Sequence, residues 1–250
     1  MITRKNAEQI ALMRRAGKVV AEMHEVCIRA AKVGATTLDV DAAAREVIER
    51  RGARSNFLGY HGFPAVVCTS PNDVIVHGIP SDDVVLGDGD ILSIDCGAII
   101  EGWHADAAVT VPIGEVDDES KQLIEVTRRS LEAAIDQVVE GHHLGDVGAA
   151  VEGIAERAGF SIVREYVGHG IGTAMHEDPQ VPNYGPAGKG MKLKTGHVLA
   201  IEPMVNAGRA ETEVLDDGWT VVTADGRRSA HFEHTIAVTD HGPEVLTLPW

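Results

Sequence analysis

The sequence predicts an α+β fold made of two similar halves, roughly residues 1–114 and 115–250, joined as one compact domain. Each half reads as two helices followed by a region of strands. The stretches 34–52 and 141–159 align without gaps at an offset of 107 residues, with eight identical positions. Two amphipathic helices can resemble each other by composition alone, but an internal repeat also explains the order of the elements. No linker-like composition separates the halves, and a crevice between them is a common place for a site.

The helices of the first half are indicated by a cap and by apolar periodicity. Asn6 and Gln9 have the spacing of a capping box, apolar residues then recur at helical intervals, and Gly34 is expected to end this helix. A second helix is expected over 38–51, stopped by Gly52.

The later elements follow the same order. Residues 57–113 are rich in β-branched residues and punctuated by Gly, Pro and Asn, which predicts strands. Two further helices are expected over 117–141 and 146–159, and strands again beyond them, with turn signals at 216–218 and 224–226.

Composition narrows the class of protein. A chain of 250 residues, 44% of them hydrophobic, suffices for one large domain. Its net charge of -16 argues against nucleic-acid binding through general charge. The three cysteines lack CxxC spacing, which favours a reducing compartment. The polar N-terminus and the lack of any apolar run near ~18 residues predict a soluble, cytoplasmic protein without a membrane partner.

Two aspartates stand out in the segment 93–110. A hairpin turning near 100–102 would make Asp95 and Asp106 approximate cross-strand partners within an apolar setting. Buried carboxylates at that spacing repel unless a cation lies between them, and a pair of divalent metals is one such bridge. Two solvent-exposed aspartates on a surface hairpin are the alternative.

Three further segments place a metal-ligating side chain among apolar residues or glycines. Glycines frame His169 in 168–179, Glu202 lies in the apolar run 197–205, and Glu233 is flanked by His231 and His234. One imidazole with four carboxylates suits Mn²⁺, Fe²⁺ or Co²⁺ at least as well as Zn²⁺.

Five motifs carry a family resemblance. SPNDVIVHGIP, SIDCGAIIEGWHADAA, GHGIGTAMHEDPQVPNY, LAIEPM and HFEHT resemble, in order and spacing, the type I methionine aminopeptidases, and the resemblance runs from about Asn6 to Leu248. It implies the pita-bread fold: two pseudo-symmetric halves around a dinuclear metal site in a single catalytic domain over 1–250. It also implies a hydrolase that removes the N-terminal methionine from nascent proteins and peptides and prefers a small second residue.

The resemblance also implies the ligands and catalytic residues. Asp106 and Glu233 would bridge two divalent metals (Co, Mn, Fe or Zn), Asp95 would complete one, and His169 with Glu202 the other. A metal-bridged hydroxide would attack the first peptide carbonyl.

Three of the side chains would then serve in the reaction itself. His176 would stabilise the oxyanion, His77 would hydrogen-bond the scissile amide nitrogen, and Glu202 would move the proton to the leaving amine. For His77, a capped turn before Gly78 is the alternative.

Two more sets of residues follow from the resemblance. The pocket for the methionine side chain would draw on apolar side chains, each of which could equally be ordinary core: Tyr60, Phe63, Cys68 and Trp219, with Phe57 and Met175 nearby. A monovalent cation, Na⁺ or K⁺, would bind at Asn72, Val74 and Ser229.

The sequence departs from the family pattern at two positions. His231 stands where the family usually has glutamine, and strand alternation predicts that it faces the same side as Glu233. It could support a metal ligand or alter substrate access. Met175 stands where the pocket often has an aromatic residue, which leaves the finer specificity open.

Two rival functions share these features. Xaa-Pro aminopeptidases and prolidases have the same fold and ligands but usually carry a large extra N-terminal domain, for which 250 residues leave no room. A binding protein on this scaffold would lose metal ligands, whereas this chain retains all five. We expect a monomer in transient contact with the ribosome, without a basic tail for that contact.

Overall fold

The computed structural model describes residues 2–248, which form four α-helices and fifteen strands. The helices are α1 (Ala7–Ala30), α2 (Thr37–Arg51), α3 (Asp118–Ile135) and α4 (Leu144–Arg157), with a 3₁₀ turn at Tyr60–Gly62. The strands of the first half are β1 (Arg54–Ser55), β2 (Val67–Pro71), β3 (Val74–Val76), β4 (Ile91–Ile100) and β5 (Trp103–Pro112). Those of the second half are β6 (Ser161–Ile162), β7 (Gly168–Gly170), β8 (Glu177–Val181), β9 (Val198–Ile201), β10 (Met204–Asn206), β11 (Thr212–Val214), β12 (Val221–Thr223), β13 (Ser229–His231), β14 (His234–Thr239) and β15 (Gly242–Val245).

Helix α1 begins at the predicted capping box but ends before the predicted stop. The Asn6 side chain accepts from the Gln9 N–H, and the Gln9 side chain accepts from the Asn6 N–H, both at 2.9 Å. The helix ends at Ala30 because the chain turns away to pair with Leu86, which bonds the backbone of Gly34 and Ala35.

Helix α3 is likewise shorter than the predicted range 117–141. After Ile135 the backbone tightens into turns, and the Gly141 N–H, at φ 96°, bonds the Leu193 carbonyl at 3.0 Å instead of continuing the helix. The periodicity of the sequence could not show this contact, because it depends on Leu193, in the connection between β8 and β9.

Helices α2 and α4 begin at equivalent positions of the internal repeat. The Asp39 carboxylate accepts from the Thr36 N–H at 2.8 Å, and the Asp146 carboxylate accepts from the His143 N–H at 2.7 Å. Both aspartates satisfy a backbone donor that the first helical turn leaves unpaired. The same local device therefore starts the second helix of each half.

Antiparallel pairing organises the described strands into four sheets. In the first, β4 pairs with β5 along one edge and with β1 and β2 along the other. The second has the order β15-β14-β9-β7-β8, and the two smaller sheets have the orders β13-β10-β6 and β11-β12-β3. Helices α1 and α2 pack together over the first sheet, while α3 and α4 pack together in the second half.

Each pair of helices covers its own apolar cluster. The first cluster contains Met23, Leu92 and Ile94, all fully buried, and the second contains Leu123 and Ile236, also fully buried. Burial of such side chains contributes about 1.5–3 kcal/mol each. Among residues 2–248, no helix is both long and apolar enough to cross a membrane.

The two halves are joined by the pairing of β3 with β12 and by a short antiparallel seam between β5 and the chain around Glu233. Ala108 and Glu233 form a backbone bridge, with the Glu233 N–H donating to the Ala108 carbonyl at 2.9 Å. Two residues away on each strand, the Thr235 hydroxyl accepts from the Asp106 N–H at 2.9 Å and donates to the Asp106 carbonyl at 2.8 Å.

A second threonine repeats this arrangement on the other side of the bridge. The Thr110 hydroxyl accepts from the His231 N–H at 2.9 Å and donates to the His231 carbonyl at 2.8 Å. The seam therefore fixes Asp106, His231 and Glu233 relative to one another.

Candidate functional site

The hairpin that carries the two aspartates forms as predicted. Strands β4 and β5 are joined by Glu101 and Gly102, whose φ values of 50° and 83° suit a two-residue hairpin turn. The register pairs Asp95 with Ala108 and Gly97 with Asp106. The aspartates are therefore diagonal neighbours on one face of the sheet, not directly opposed partners, and they remain within reach of a shared ligand.

The glycines around His169 bring its strand close to two others. A Cβ at Gly168 would lie 2.4 Å from the Ala200 carbonyl oxygen, and one at Gly170 would lie 2.2 Å from the Asp178 carbonyl oxygen. Only glycine fits there. The His169 Nδ1 lies 2.9 Å from the Gly170 carbonyl. Because a carbonyl can only accept, Nδ1 carries the hydrogen and Nε2 keeps the lone pair that a metal needs.

Glu202 lies between two imidazoles. It follows β9 directly, and its Oε1 lies 3.6 Å from His169 Nε2 while its Oε2 lies 3.7 Å from His231 Nε2. Glu233, 2% exposed, stands at the seam bridge. Carboxylates from strands of both halves therefore lie close together beside His169.

These side chains fit a pair of divalent cations. One oxygen on each of Asp95, Asp106 and Glu233 is buried and has no hydrogen-bond partner. Ligand atoms of Asp106, His169 and Glu233 lie within 4.8 Å of one another, and so do those of Glu202, His231 and Glu233. Neither Lys nor Arg is among the described residues that line this cavity. Four carboxylates without a protein cation favour a bound divalent cation over the charged, unpaired state.

The electrostatics support the same conclusion. Burial raises the pKa of Asp95 to about 7, while its hydrogen bond with Asp106 opposes the rise. Burial, and after it the neighbouring carboxylates, raise the pKa of Asp106, Glu202 and Glu233 well above the usual range. These groups take up protons when no cation is present, and a divalent cation reverses that preference.

The buried imidazoles near the carboxylates are neutral. Burial lowers the pKa of His169 and of His77 to about 4, with His176 as the next cause for both. Burial also lowers the pKa of His231 to about 3. A neutral ring has one donor and one acceptor nitrogen, so each can serve as a ligand or as a single hydrogen-bond donor.

One cavity of about 170 Å³ adjoins the carboxylates. Its lining includes the predicted ligands and every side chain predicted for the pocket and for catalysis: Phe57, Tyr60, Phe63, Cys68, His77, Asp95, Asp106, His169, Met175, His176, Glu202, Trp219 and Glu233. The structure brings these residues together, while their individual roles stay predictions.

His77 and His176 occupy distinct positions on the cavity wall. His77 adopts φ 61°, an uncommon value for a residue with a Cβ, and its ring lies 5.8 Å from that of Tyr166 and 6.3 Å from that of Trp219. Gly78 packs closely against β2, because a Cβ there would lie 2.1 Å from the Thr69 carbonyl oxygen, and its N–H donates to the Ser70 hydroxyl at 3.2 Å. The role of His77 stays a prediction.

His176 has a hydrogen-bond partner that the sequence did not indicate. The Tyr60 hydroxyl lies 2.8 Å from His176 Nδ1, and the His176 ring lies 4.4 Å from that of His169. When the hydroxyl donates to Nδ1, the neutral ring carries its hydrogen at Nε2. Tyr60 is thus placed to orient His176 as well as to line the pocket.

Four lining residues were not predicted from the sequence: Val76, Tyr166, Val167 and Met204. Val76 and Met204 lie within two of the quoted motifs, and Tyr166 and Val167 directly precede a third, which is the signal that could have indicated them. Cys68 is buried in this lining, and burial, followed by the charges of Asp95 and Asp106, raises the pKa of its thiol well above the usual range. A thiol whose pKa is raised is a poor nucleophile at neutral pH, which agrees with the prediction of Cys68 as a pocket residue.

The residues predicted for a monovalent cation lie in adjacent segments. The Asn72 carbonyl accepts from the Ser229 N–H at 2.9 Å, and Asn72 has φ 52°. Val74 begins β3, which lies against β13. This proximity does not test cation binding, which stays a prediction.

Comparisons with known proteins agree with this geometry. Residues 11–240 match metallopeptidase family M24. The chain is 49% identical to a methionine aminopeptidase of Clostridium acetobutylicum over 99% of both chains. It is 48% identical to methionine aminopeptidase 1 of Bacillus subtilis, again over 99% of both chains.

Solved structures give the same result. The crystal structure of a methionine aminopeptidase from Thermotoga maritima matches with a TM-score of 0.97 and 45% identity, over 99% of this chain and 100% of that one. A prolidase from Pyrococcus horikoshii OT3 matches with a TM-score of 0.79 and 21% identity, over 99% of this chain and 64% of that one, and shows the fold alone.

The fold and the site together define a metallopeptidase with the pita-bread fold, as the sequence predicted, and the chain belongs to metallopeptidase family M24. Within that family it groups with the methionine aminopeptidases, whose identity to this chain is more than twice that of the prolidase.

Proposed function

We propose that this chain is a metal-dependent exopeptidase that removes the N-terminal methionine from nascent proteins and peptides. The observation that carries the proposal is the convergence of one imidazole and four carboxylates, several of their oxygens buried without a partner, beside a small cavity lined by aromatic side chains. The high identity to methionine aminopeptidases over nearly the full length of both chains supports the same activity.

Five side chains would hold two divalent cations. Asp106 and Glu233 would serve both cations, Asp95 one of them, and His169 with Glu202 the other. When bound, the cations supply Lewis acidity and an activated water. The oxygen-rich donor set suits Mn²⁺, Fe²⁺ or Co²⁺ at least as well as Zn²⁺.

The side chains around the cations handle the charge and the proton of the reaction. His176 donates from Nε2 to the oxyanion that develops on the first peptide carbonyl, and the Tyr60 hydroxyl holds its ring in that orientation. His77 hydrogen-bonds the scissile amide nitrogen. The Glu202 carboxylate accepts the proton that the attacking water loses and passes it to the leaving amine.

The cavity sets the specificity. The methionine side chain packs among six residues: Phe57, Tyr60, Phe63, Cys68, Met175 and Trp219. With the free amine held at the metal centre, the second side chain of the substrate lies against His77 and His176. A large second side chain displaces the carbonyl, and a displacement of about 1 Å can cost about a hundredfold in rate. The second residue is therefore small.

The remaining proposals concern the whole chain. Residues 1–250 act as one catalytic domain and as a monomer, and Asn72, Val74 and Ser229 hold Na⁺ or K⁺. The nascent-chain substrate places the enzyme in the cytoplasm with transient access to the ribosome. The three cysteines are free, which is consistent with a reducing compartment.

A peptide competition tests the proposed function. Metal-loaded protein is given Met-Ala, Met-Phe, Ala-Pro and acetyl-Met-Ala peptides in one mixture. We expect cleavage of Met-Ala only, because acetylation removes the amine that the metal centre binds. Cleavage of Ala-Pro alone would indicate a prolidase-type enzyme, and no cleavage by metal-loaded protein would indicate a binding protein.

A further inference from the structure

His231 is a buried imidazole that the proposed reaction leaves without a role. Its side chain is 2% exposed, it lines the cavity, and its Nε2 has no hydrogen-bond partner. An unpartnered polar nitrogen in such a place is costly unless it has a partner in the working state.

The backbone of His231 is held tightly. The Thr110 hydroxyl donates its one hydrogen to the His231 carbonyl and accepts from the His231 N–H. The Ser93 Oγ lies 2.8 Å from the Thr110 Oγ1, and because the Thr110 hydrogen is already used, the Ser93 hydroxyl must donate to the Thr110 Oγ1. Thr110 thereby uses all of its hydrogen-bonding capacity, which fixes the point from which the imidazole projects into the site.

The group that faces this imidazole is Glu202. Its Oε2 lies 3.7 Å from His231 Nε2, while its Oε1 lies 3.6 Å from His169 Nε2. The two rings make different demands on the carboxylate. His169 presents a lone pair, because its Nδ1 donates to the Gly170 carbonyl. A lone pair on His231 Nε2 would repel the carboxylates of Glu202 and Glu233 that lie around it, whereas an N–H there is attracted.

We propose that His231 is a positioning residue that donates its Nε2–H to Oε2 of Glu202 and thereby leaves Oε1 to face the cation held with His169. This inference rests on the proposed function. A shift of the carboxylate by under 1 Å shortens the contact to about 2.9 Å, the usual hydrogen-bond length. Such contacts tighten when a site is loaded.

The expected consequence is a loss of metal affinity, not a loss of fold. Hydrogen bonds from outer partners orient the ligands of a metal, and their removal typically costs about 10–100-fold in affinity or activity. His231→Leu removes the donor at similar size. His231→Gln restores an N–H at comparable reach.

The test uses calorimetric titration of Mn²⁺ into metal-stripped protein, together with the visible absorption of the Co²⁺-loaded form. We expect His231→Leu to weaken Mn²⁺ binding by about 10–100-fold and to lower kcat more than KM. His231→Gln should remain within about threefold of the unaltered protein. The matched control is His142→Leu, which removes another imidazole with a buried, unpartnered ring nitrogen outside this cavity and should leave Mn²⁺ binding unchanged.

Two results would overturn the assignment. Equal Mn²⁺ affinity in the unaltered protein and His231→Leu would show that the ring only fills space. Loss of one cation together with a changed Co²⁺ spectrum in His231→Gln would show that His231 is itself a ligand. If His231→Leu does not fold, His231→Met, which also lacks a donor, replaces it. A failure of the unaltered protein to bind divalent cations would instead refute the proposed function.

Discussion

At the scale of single residues, the site depends on carboxylate oxygens that the protein itself leaves unpaired. Asp95, Asp106 and Glu233 each bury such an oxygen, and the surrounding side chains offer no cationic group. The histidines that complete the site are each oriented by a specific contact. His169 is held by the Gly170 carbonyl and His176 by the Tyr60 hydroxyl.

Glu233→Ala should remove activity and metal binding together. The loss of a bridging carboxylate leaves two cations with too little compensating charge. Metal content by elemental analysis and turnover of a Met-Ala peptide measure the two effects. Glu213→Ala, an exposed glutamate on β11, is the matched control and should change neither. Full activity with intact metal in Glu233→Ala would exclude Glu233 from the site.

His176→Ala should keep the fold and both cations while kcat falls by roughly 10²–10³, the usual cost of losing one oxyanion donor. Tyr60→Phe keeps the ring in the pocket but removes the hydroxyl on Nδ1, so we expect a smaller fall in kcat with little change in KM. Steady-state kinetics on Met-Ala measure both. Stoichiometric loss of metal in His176→Ala would mean that His176 is a ligand.

At the scale of elements, the seam between β5 and the Glu233 segment aligns ligands from the two halves. Threonine hydroxyls replace direct backbone pairing on both sides of the Ala108–Glu233 bridge. The hairpin β4–β5 supplies the aspartates to one side of this seam. A change in the seam should therefore affect stability and metal binding at once.

Thr235→Val tests the seam. It keeps the side-chain shape but leaves the buried N–H and C=O of Asp106 without partners, at about 1–3 kcal/mol each. We expect a lower Tm and weaker Mn²⁺ binding, measured by thermal unfolding and calorimetry. Thr127→Val is the control, because its buried hydroxyl bonds only the Leu123 carbonyl within α3. Equal effects of the two substitutions would contradict a special role for the seam.

Local signals predicted the elements, and long-range contacts set their limits. The capping box at Asn6, the Glu101–Gly102 turn and the end of α2 follow from residues close in sequence, whereas α4 begins at Leu144 and not at the predicted residue 146. The predicted ends of α1 and α3 lie several residues beyond the observed ones, because backbone hydrogen bonds to Leu86 and Leu193 draw the chain out of the helix earlier.

The site was predicted in composition more than in geometry. Its side chains have recognisable motifs, whereas the diagonal placement of Asp95 and Asp106 and the Tyr60–His176 bond arise from register and packing. Neither can be deduced from residue spacing along the chain.

At the scale of the whole molecule, metal binding and folding are coupled. The chain buries four carboxylates between its halves, and burial raises their pKa values. The free energy of unfolding of the metal-free protein therefore depends on pH.

The raised pKa of the Asp95 carboxyl determines the pH range over which the free energy of unfolding of the metal-free protein changes. Its pKa is raised by burial from 3.8 to about 7, so the metal-free folded state holds the proton more tightly than the unfolded state does. The stability that this provides is fully present below about pH 4 and is lost as pH rises through about 7. Asp95→Asn removes the part of the pH dependence that this carboxyl contributes. We therefore expect the Tm of metal-free Asp95→Asn, relative to the unaltered protein, to rise between pH 5 and pH 8. Parallel Tm curves over that range would contradict the burial of this carboxyl.

Metal stripping and reconstitution test the central claim most directly. Protein freed of metal by a chelator is titrated with Mn²⁺ or Co²⁺, while elemental analysis and hydrolysis of a Met-Ala peptide are followed together. The five-ligand site predicts no hydrolysis without metal, recovery of hydrolysis as cations bind, and saturation at two per chain. Hydrolysis of Met-Ala by protein shown to be free of metal, or saturation without any hydrolysis, would contradict the account.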